Sequence, residues 1–440
     1  MPDQSSLPAP SPLTRRRFLG VSGGLASTLL LAACGSNTGR EAATTAGSGG
    51  SGASGSKPTL AQWYHQYGET GTQQAAEGYA AAYPDATVSV QWTPGDYESK
   101  LSSSLVAGNG PDVFEWGNGP SIDQIQGGQV AALDDLLGDA KSDFTSSLLQ
   151  RMSYDGKLYG IPQVIDMQLL VYRPSLLQAA GVQPPETFDD LVSAAAKLTT
   201  GGVKGLFVGN DGGGGVLTGP TLWSVGADYL TSDNKVGFDQ PAVAEAFGRL
   251  HGLFTSGSLL LGAPTDWSDP SAITQGLTAM QWTGLWTLPT LAKELGDDFA
   301  VTAWPKYSSS VGAPSVPIGA YGSVVNAKGA NVDAAKAYVK WLWVDNTADQ
   351  LDWAQSFGFH IPARQSVAAQ ADKLKTGVAA DAVALVQNSG HAQSPLLWTP
   401  ASGTAMSDAV SRIIKDGADP AEQLGQVATT VQSELQRVAG

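Results

Sequence analysis

Past Lys57 the chain alternates between two hydrophobic periods, and this alternation restricts its fold more than any single motif does. Thr59 to Tyr64 is a short apolar, strand-like run, and Gly71 to Tyr83 carries apolar residues at helical spacing until Pro84-Asp85 stops it. Thr87 to Trp92 is β-branched and alternating, Tyr97 to Ala107 is helical, and Pro111 to Trp116 is extended again before the break at Gly117. Parallel strands need a crossover between them, usually a helix, so this order predicts a doubly wound α/β lobe.

The pattern then restarts. Leu158 to Tyr172 (LYGIPQVIDMQLLVY) is a long extended run, and Thr187 and Asp190 form a capping-box pair at the head of a fresh helix, so a lobe boundary falls within that run. Strands are predicted at Gly205 to Val208, Thr278 to Trp282, Phe299 to Trp304 and Gly322 to Ala327. Helices are predicted at Thr221 to Tyr229, from Asp239 to Phe254, at Val332 to Val344 and at Thr347 to Gln355, with a helical tail from about Asp381. No period of about 20 to 50 residues repeats, which excludes a solenoid.

A segment of different character precedes this body. Cys34, the only cysteine, ends Leu31-Ala32-Ala33-Cys34, and Phe18 to Ala33 is an apolar run diluted by Gly and Ser, too short to span a bilayer. Thr14-Arg15-Arg16-Arg17-Phe18-Leu19 resembles a twin-arginine export signal, and the cysteine resembles that of a bacterial lipobox. The resemblance implies that residues 1–33 are an address label and that the Cys34 thiol is diacylated, tying the chain to the outer face of the cell membrane. Residues 34–57 then form a Gly/Ser/Ala/Thr tether with a mean reach of roughly 25 Å. Gly20-Val21-Ser22-Gly23-Gly24 copies a hydrolase nucleophile elbow, but it lies inside the label and lacks the strand–turn–helix context that motif needs.

The formal net charge is −15, and more negative still once Arg15, Arg16 and Arg17 are set aside, so nothing favours nucleic acid or an anionic lipid surface as partner. One cysteine cannot form an internal disulfide. After the label no apolar stretch approaches the ~20 residues of a membrane span, and at roughly 100 to 200 residues per domain the chain can bury two cores. The expectation is a soluble, monomeric body that meets the membrane only through its lipid anchor.

Enzyme signatures are sparse. His65, His251, His360 and His391 stand far apart without the spacing of metal ligands, so neither metal nor cofactor is expected. Asp211-Gly212-Gly213-Gly214-Gly215 lacks the Lys-Ser/Thr of a phosphate loop and reads as a flexible loop. Asp134-Asp135, Asp189-Asp190 and Asp297-Asp298 sit at helix starts or turns, where helix dipoles and solvation account for them. Tryptophan is the conspicuous residue, with twelve in the chain. Trp63, Trp116, Trp223, Trp282, Trp286 and Trp398 fall at strand ends or beside Gly and Pro, whereas Trp341, Trp343 and Trp353 fall on helices and are assigned to core. A rigid indole plane suits the C–H face of a pyranose, whose hydroxyls then need polar partners, so the loop tryptophans as a set point to ligand contact.

The following segments, in order, resemble the carbohydrate-binding extracellular solute-binding proteins of ABC importers, the family that includes maltose-binding protein: Tyr83 to Val88; Gly108 to Val113; Leu158 to Pro162 leading to Leu170-Val171-Tyr172; Gly181-Val182 with Pro184 to Leu191; Ala279-Met280 with Gly284-Leu285-Trp286; and Gly358 to Arg364. The resemblance implies a type II periplasmic-binding-protein-like fold, with two doubly wound α/β lobes joined by a hinge, residues 58–168 plus 305–365 in one and residues 169–304 plus 366–440 in the other. It implies no catalytic residues, and a mono- or oligosaccharide held between the lobes for delivery to a permease. Carried over by position, Trp116 and Trp286 match sugar-contacting tryptophans, and Asp166 matches an acceptor of sugar hydroxyls. His65, Gln66 and Tyr67 occupy a loop of polar contacts in which the residue types differ. Asn118 stands near a charged contact of relatives, and Trp223 and Trp398 lie in regions that carry aromatics. Two other readings stay open: a secreted glycoside hydrolase, for which Asp166 would supply one carboxyl and the sequence nominates no second, and a receptor for a non-sugar solute.

Overall fold

A computed structural model describes residues 57–439. The export label, Cys34 and nearly all of the tether lie outside the described residues.

The first sheet has the strand order Thr87–Thr93, Thr59–His65, Val113–Gly117, Tyr321–Val325, Ile161–Pro162. The first three pair in parallel through helical crossovers, as the alternating pattern predicts. The last two join antiparallel, so the sheet is mixed and includes a strand from far down the chain. The helix Tyr97–Ala107 shows how one such crossover is built. Asp96 accepts from Ser99 N at its start, Gly108 at φ 75° ends it, and Tyr97, Leu101 and Leu105 bury one face.

The second sheet runs Gly390–Ala392, Val316–Gly319, Val164–Tyr172, Thr278–Gly284, Lys204–Phe207. Every residue of Thr278–Gly284 is buried. It is covered on both faces although it is not wholly apolar, and its buried Gln281 donates through Nε2 to Trp267 O at 3.2 Å and Asp269 O at 2.7 Å.

Two stretches cross between the sheets side by side. Val164–Tyr172 begins against Ile361–Pro362 and ends against Thr278–Gly284 and Ala300–Thr302. Antiparallel to it, Val316–Gly319 pairs with Asp166 and Met167 before the chain passes Ala320 and enters the first sheet at Tyr321. This paired crossing is the hinge.

Contacts move the lobe boundaries from those expected. Residues after 304 stay with the second lobe. Trp304 packs edge-on to Trp282 in its core, Lys306 O accepts from Phe188 N at 2.9 Å, and the Tyr307 hydroxyl bonds Glu245. The return to the first lobe therefore begins near Val316, where the crossing strand starts, rather than at 305. That lobe also extends beyond 365, because Asp143 accepts from Arg364 Nε, Ser366 N and Ser366 Oγ, while Val367, Ala371 and Leu374 are buried. Two elements differ in detail. The helix expected at Thr221 to Tyr229 is Thr218–Ser224, ended ahead of Gly226 at φ 80°, and the expected helical tail is interrupted by the strand Gly390–Ala392.

Trp282, grouped by sequence with the ligand tryptophans, is fully buried, its Nε1 donating to Gln168 Oε1 at 3.1 Å. Trp282→Ala should lower stability by about 3–5 kcal/mol, as truncating a buried indole leaves a cavity the sheet cannot close. A urea melt checks this; a loss under about 1 kcal/mol would mean the side chain is not core.

Candidate functional site

The crossing strands are the floor of a cleft. Over Asp166, Gln168, Gly319 and Tyr321 lies a central chamber of about 230 Å³. It shares Asp166, Trp267, Trp286 and Tyr321 with a flanking chamber of about 580 Å³, and Gly117, Asn118 and Gln393 with one of about 640 Å³ on the other side. A smaller recess of about 100 Å³ opens behind, at Trp223 and Tyr229. The lobes touch across this cleft, Asn118 Nδ2 donating to Gln393 Oε1 at 3.0 Å and Arg151 Nε to Ser394 O at 2.8 Å.

Two glycines let the walls approach. A Cβ on Gly284 would lie 2.0 Å from the Trp286 ring, so only glycine lets that indole fold back over the strand end. A Cβ on Gly319 would lie 2.3 Å from Asn118 Oδ1. Trp286 Nε1 donates to Ser268 O at 3.0 Å, and its ring meets Trp267 edge-on at 5.9 Å, leaving a half-buried pair of indoles at the junction of two chambers.

Buried acids hold the polar groups in place. Glu115, in the apolar strand Val113–Gly117, is 1% exposed. Its carboxylate accepts from His65 N at 2.7 Å and from the Tyr67 hydroxyl at 2.8 Å, and His65 Nδ1 also lies against it. Tyr321 stacks on His65 with centroids 4.3 Å apart. Burial first and Glu115 second raise the hydroxyls of Tyr67 and Tyr321 well above the usual tyrosine range, so both remain donors.

A second knot lies on the cleft floor. His360 is 2% exposed, with Nδ1 on Asp166 Oδ1. Its Nε2 stands 3.2 Å from Glu69 Oε1, close enough for an ion pair although not aligned as a hydrogen bond. Burial alone would lower the imidazole pKa, but Asp166 and Glu69 outweigh it and push the value up to about 10. The ring is therefore an imidazolium that fixes the rotamer of Asp166. Among the described residues no group of His, Cys, Asp and Glu is arranged to hold a metal ion.

All nine residues nominated from sequence lie on these walls. His65, Gln66, Tyr67, Asp166 and Trp286 line the 580 Å³ chamber, Trp116, Asn118 and Trp398 the 640 Å³ chamber, and Trp223 the recess. Their exposure differs. Trp223 is 3% exposed, held by Asp228 Oδ1 at 3.1 Å and stacked on His391, and Trp398 is wedged edge-on between Tyr229 and Phe238, so each offers only a rim. Trp63 packs in the small cluster beneath Trp116. The Asp211 loop is tied down, Oδ1 and Oδ2 accepting from Gly213 N and Gly215 N, and it lines the cleft. Sequence reasoning missed Glu69, Glu115, Arg151, Trp267, Tyr321, His360 and Gln393. For Glu115 a signal was present, since a charge inside an apolar strand needs a buried partner.

Residues 57–343 match a family model described as bacterial extracellular solute-binding protein. Among curated relatives, the maltotriose-binding protein of Pyrococcus abyssi is 24% identical over 61% of this chain and 58% of its own length. The lactose-binding protein of Rhizobium radiobacter is 27% identical over 56% of this chain and 61% of its own. The chain thus spans less than two thirds of the length of these relatives. Among solved structures, an ABC transporter solute-binding protein of Thermotoga lettingae bound with α-D-tagatose superposes with TM-score 0.75 at 21% identity, covering 86% of this chain and all of that one. At that identity the likeness is one of fold.

The His360 knot has a pH signature. A group whose folded pKa is raised contributes fully below its unfolded value, about 6.5, and loses that contribution as pH rises through about 10. Wild type should be more stable than His360→Gln by a few kcal/mol at pH 6, with the gap closing towards pH 10. Paired melting curves across that range check it, and a gap that does not change with pH would sink the assignment.

Proposed function

The chain belongs to the bacterial extracellular solute-binding protein family, and on that premise we propose that it captures a mono- or oligosaccharide between its lobes and delivers it unchanged to the permease of an ABC importer. The observation that carries this reading is the meeting of Trp286 and Trp267 with the anchored carboxylate of Asp166 at the junction of two chambers. An indole accepts the C–H face of a sugar ring, and a carboxylate with a fixed rotamer accepts its rim hydroxyls at little cost in side-chain entropy. Asn118, Gln168 and Gln393 supply further amide donors and acceptors around the central chamber.

Capture is favoured over hydrolysis by the placement of acids. Asp166 and Glu69 share one imidazolium, Asp269 in the same chamber accepts from Ser271 N at 2.7 Å, and Glu98 is the only carboxyl side chain lining the chamber of Trp116. A glycosidase needs two carboxyls facing each other across the bond, about 5–10 Å apart. The sugar-binding relatives named above support the same class of cargo. In this reading residues 1–33 are removed on export, Cys34 carries the lipid, and the tether lets a monomeric body reach the permease from the outer face of the membrane.

Three outcomes follow. Trp286→Ala and Trp116→Ala should each weaken saccharide binding about ten- to a hundredfold, or roughly 1.5–3 kcal/mol, with native melting. Calorimetry reads this, and unchanged affinity in both would place the ligand elsewhere. Cys34→Ser should move the protein from the membrane to the soluble fraction with its affinity intact; retention on the membrane after residues 1–33 are removed would refute the anchor. Sugar recovered after long incubation should be chromatographically unaltered, whereas turnover abolished by Asp166→Asn would make the protein a hydrolase.

A further inference from the structure

Arg151 ends the helix Ser146–Arg151 and lines the 640 Å³ chamber beside Trp116, Ser121 and Glu98. Arg173, Arg249, Arg364 and Arg437 each hold a carboxylate. Arg151 pairs with none among the described residues. Its Nε donates to Ser394 O, and its Nη1 is buried without a partner. Burial pulls the guanidinium pKa down to about 10, which leaves it charged at neutral pH. A desolvated charge without a counter-ion is costly, and a cavity wall is the one place where the counter-ion can arrive from outside.

Two neighbours bear on an anion there. Thr399, Pro400 and Gly403 bring the start of the 12-residue helix Pro400–Ser411 to the same chamber, with the positive end of its dipole. Glu98 is the only acidic side chain lining this chamber, and burial, partly offset by a backbone hydrogen bond from Gly117, raises its pKa above the usual carboxylate range. The formal net charge of −15 opposes an anionic ligand at long range, but surface charges are screened within about 8 Å at physiological salt, so the local guanidinium decides.

We propose that this chamber receives an oxyanion borne by the saccharide, a sugar carboxylate or a sugar phosphate, which pairs with Arg151 while the sugar face lies against Trp116. The proposal rests on the saccharide reading above and narrows its cargo to acidic sugars. With Nε engaged on Ser394 O, the guanidinium meets either group through its terminal nitrogens and its charge, which a neutral hydroxyl does not match.

Calorimetry on full-length Cys34→Ser protein tests it with oligogalacturonates and oligoglucuronates, neutral oligosaccharides of the same lengths, hexose phosphates and inorganic phosphate. At least one acidic sugar should bind about tenfold or more tighter than its neutral counterpart, with the preference shrinking as salt is added. Tight binding of the uronates identifies a carboxylate as the anion, and of the hexose phosphates a phosphate. Arg151→Gln should remove the preference, acidic sugars losing about tenfold more affinity than neutral ones, while Arg151→Lys keeps part of it. If Arg151→Gln does not fold, the wild-type ratio and its salt dependence decide. Neutral sugars binding as tightly as acidic ones, equal losses for both in Arg151→Gln, or binding of inorganic phosphate alone would overturn the proposal while the capture reading stands or falls on the neutral sugars. No binding by any sugar overturns both.

Discussion

The structure depends on the antiparallel pairing of Val164–Tyr172 with Val316–Gly319. Each stretch leaves one sheet and enters the other, so the same backbone bonds that complete two lobes also lay the cleft floor. Asp166 and Gly319 are register partners in that pairing. The cleft floor is therefore set by strand register, which a one-residue slip would invert, rather than by loops free to drift.

Around that floor, fixed charge does the arranging. Glu115 spends its lone pairs on His65 and Tyr67, and the His360 imidazolium spends its charge on Asp166 and Glu69. The first knot is closed by hydrogen bonds and the second by ion pairing, His360 Nε2 having no aligned hydrogen bond, and such networks stabilise geometry more than they add net energy, because desolvation cancels much of the Coulomb gain. What they leave facing the central chamber are indoles, amides and the edge of Asp166. Arg151 departs from this pattern as a charge whose pairing is left open at the wall.

Much of this was legible in the sequence, because local pattern reports what local physics decides. The strand–helix alternation from Thr59 to Trp116 produced three parallel strands, since apolar period and turn residues agree there. Partners distant in sequence were not legible. No pattern in Tyr321–Val325 announces that it inserts beside Val113–Gly117, and Gly-His-Ala at 390–392 is too short and too weakly apolar to read as a strand. Trp282 and Trp286 looked alike because both lie at the end of an expected strand, close to Gly284. Their fates diverge at Gly284, where the strand ends and the second indole turns into the cleft. Glu69, Asp166 and His360 come from three separated segments, so their meeting is a tertiary fact with no spacing to betray it.

The insertion of Tyr321–Val325 between Val113–Gly117 and Ile161–Pro162 also governs how the molecule is made. Until the ribosome has passed Val325, the first sheet ends in an unpaired strand edge, and Ile161–Pro162 has no sheet to join. The second sheet likewise waits for Gly390–Ala392, the outer strand of its hydrogen-bonded order. Neither sheet can be completed from one contiguous stretch of chain, and pairings this distant in sequence cost loop-closure entropy before they form. A nascent chain of this design therefore exposes sticky edges for most of its synthesis, a period in which holdase chaperones have their natural substrate.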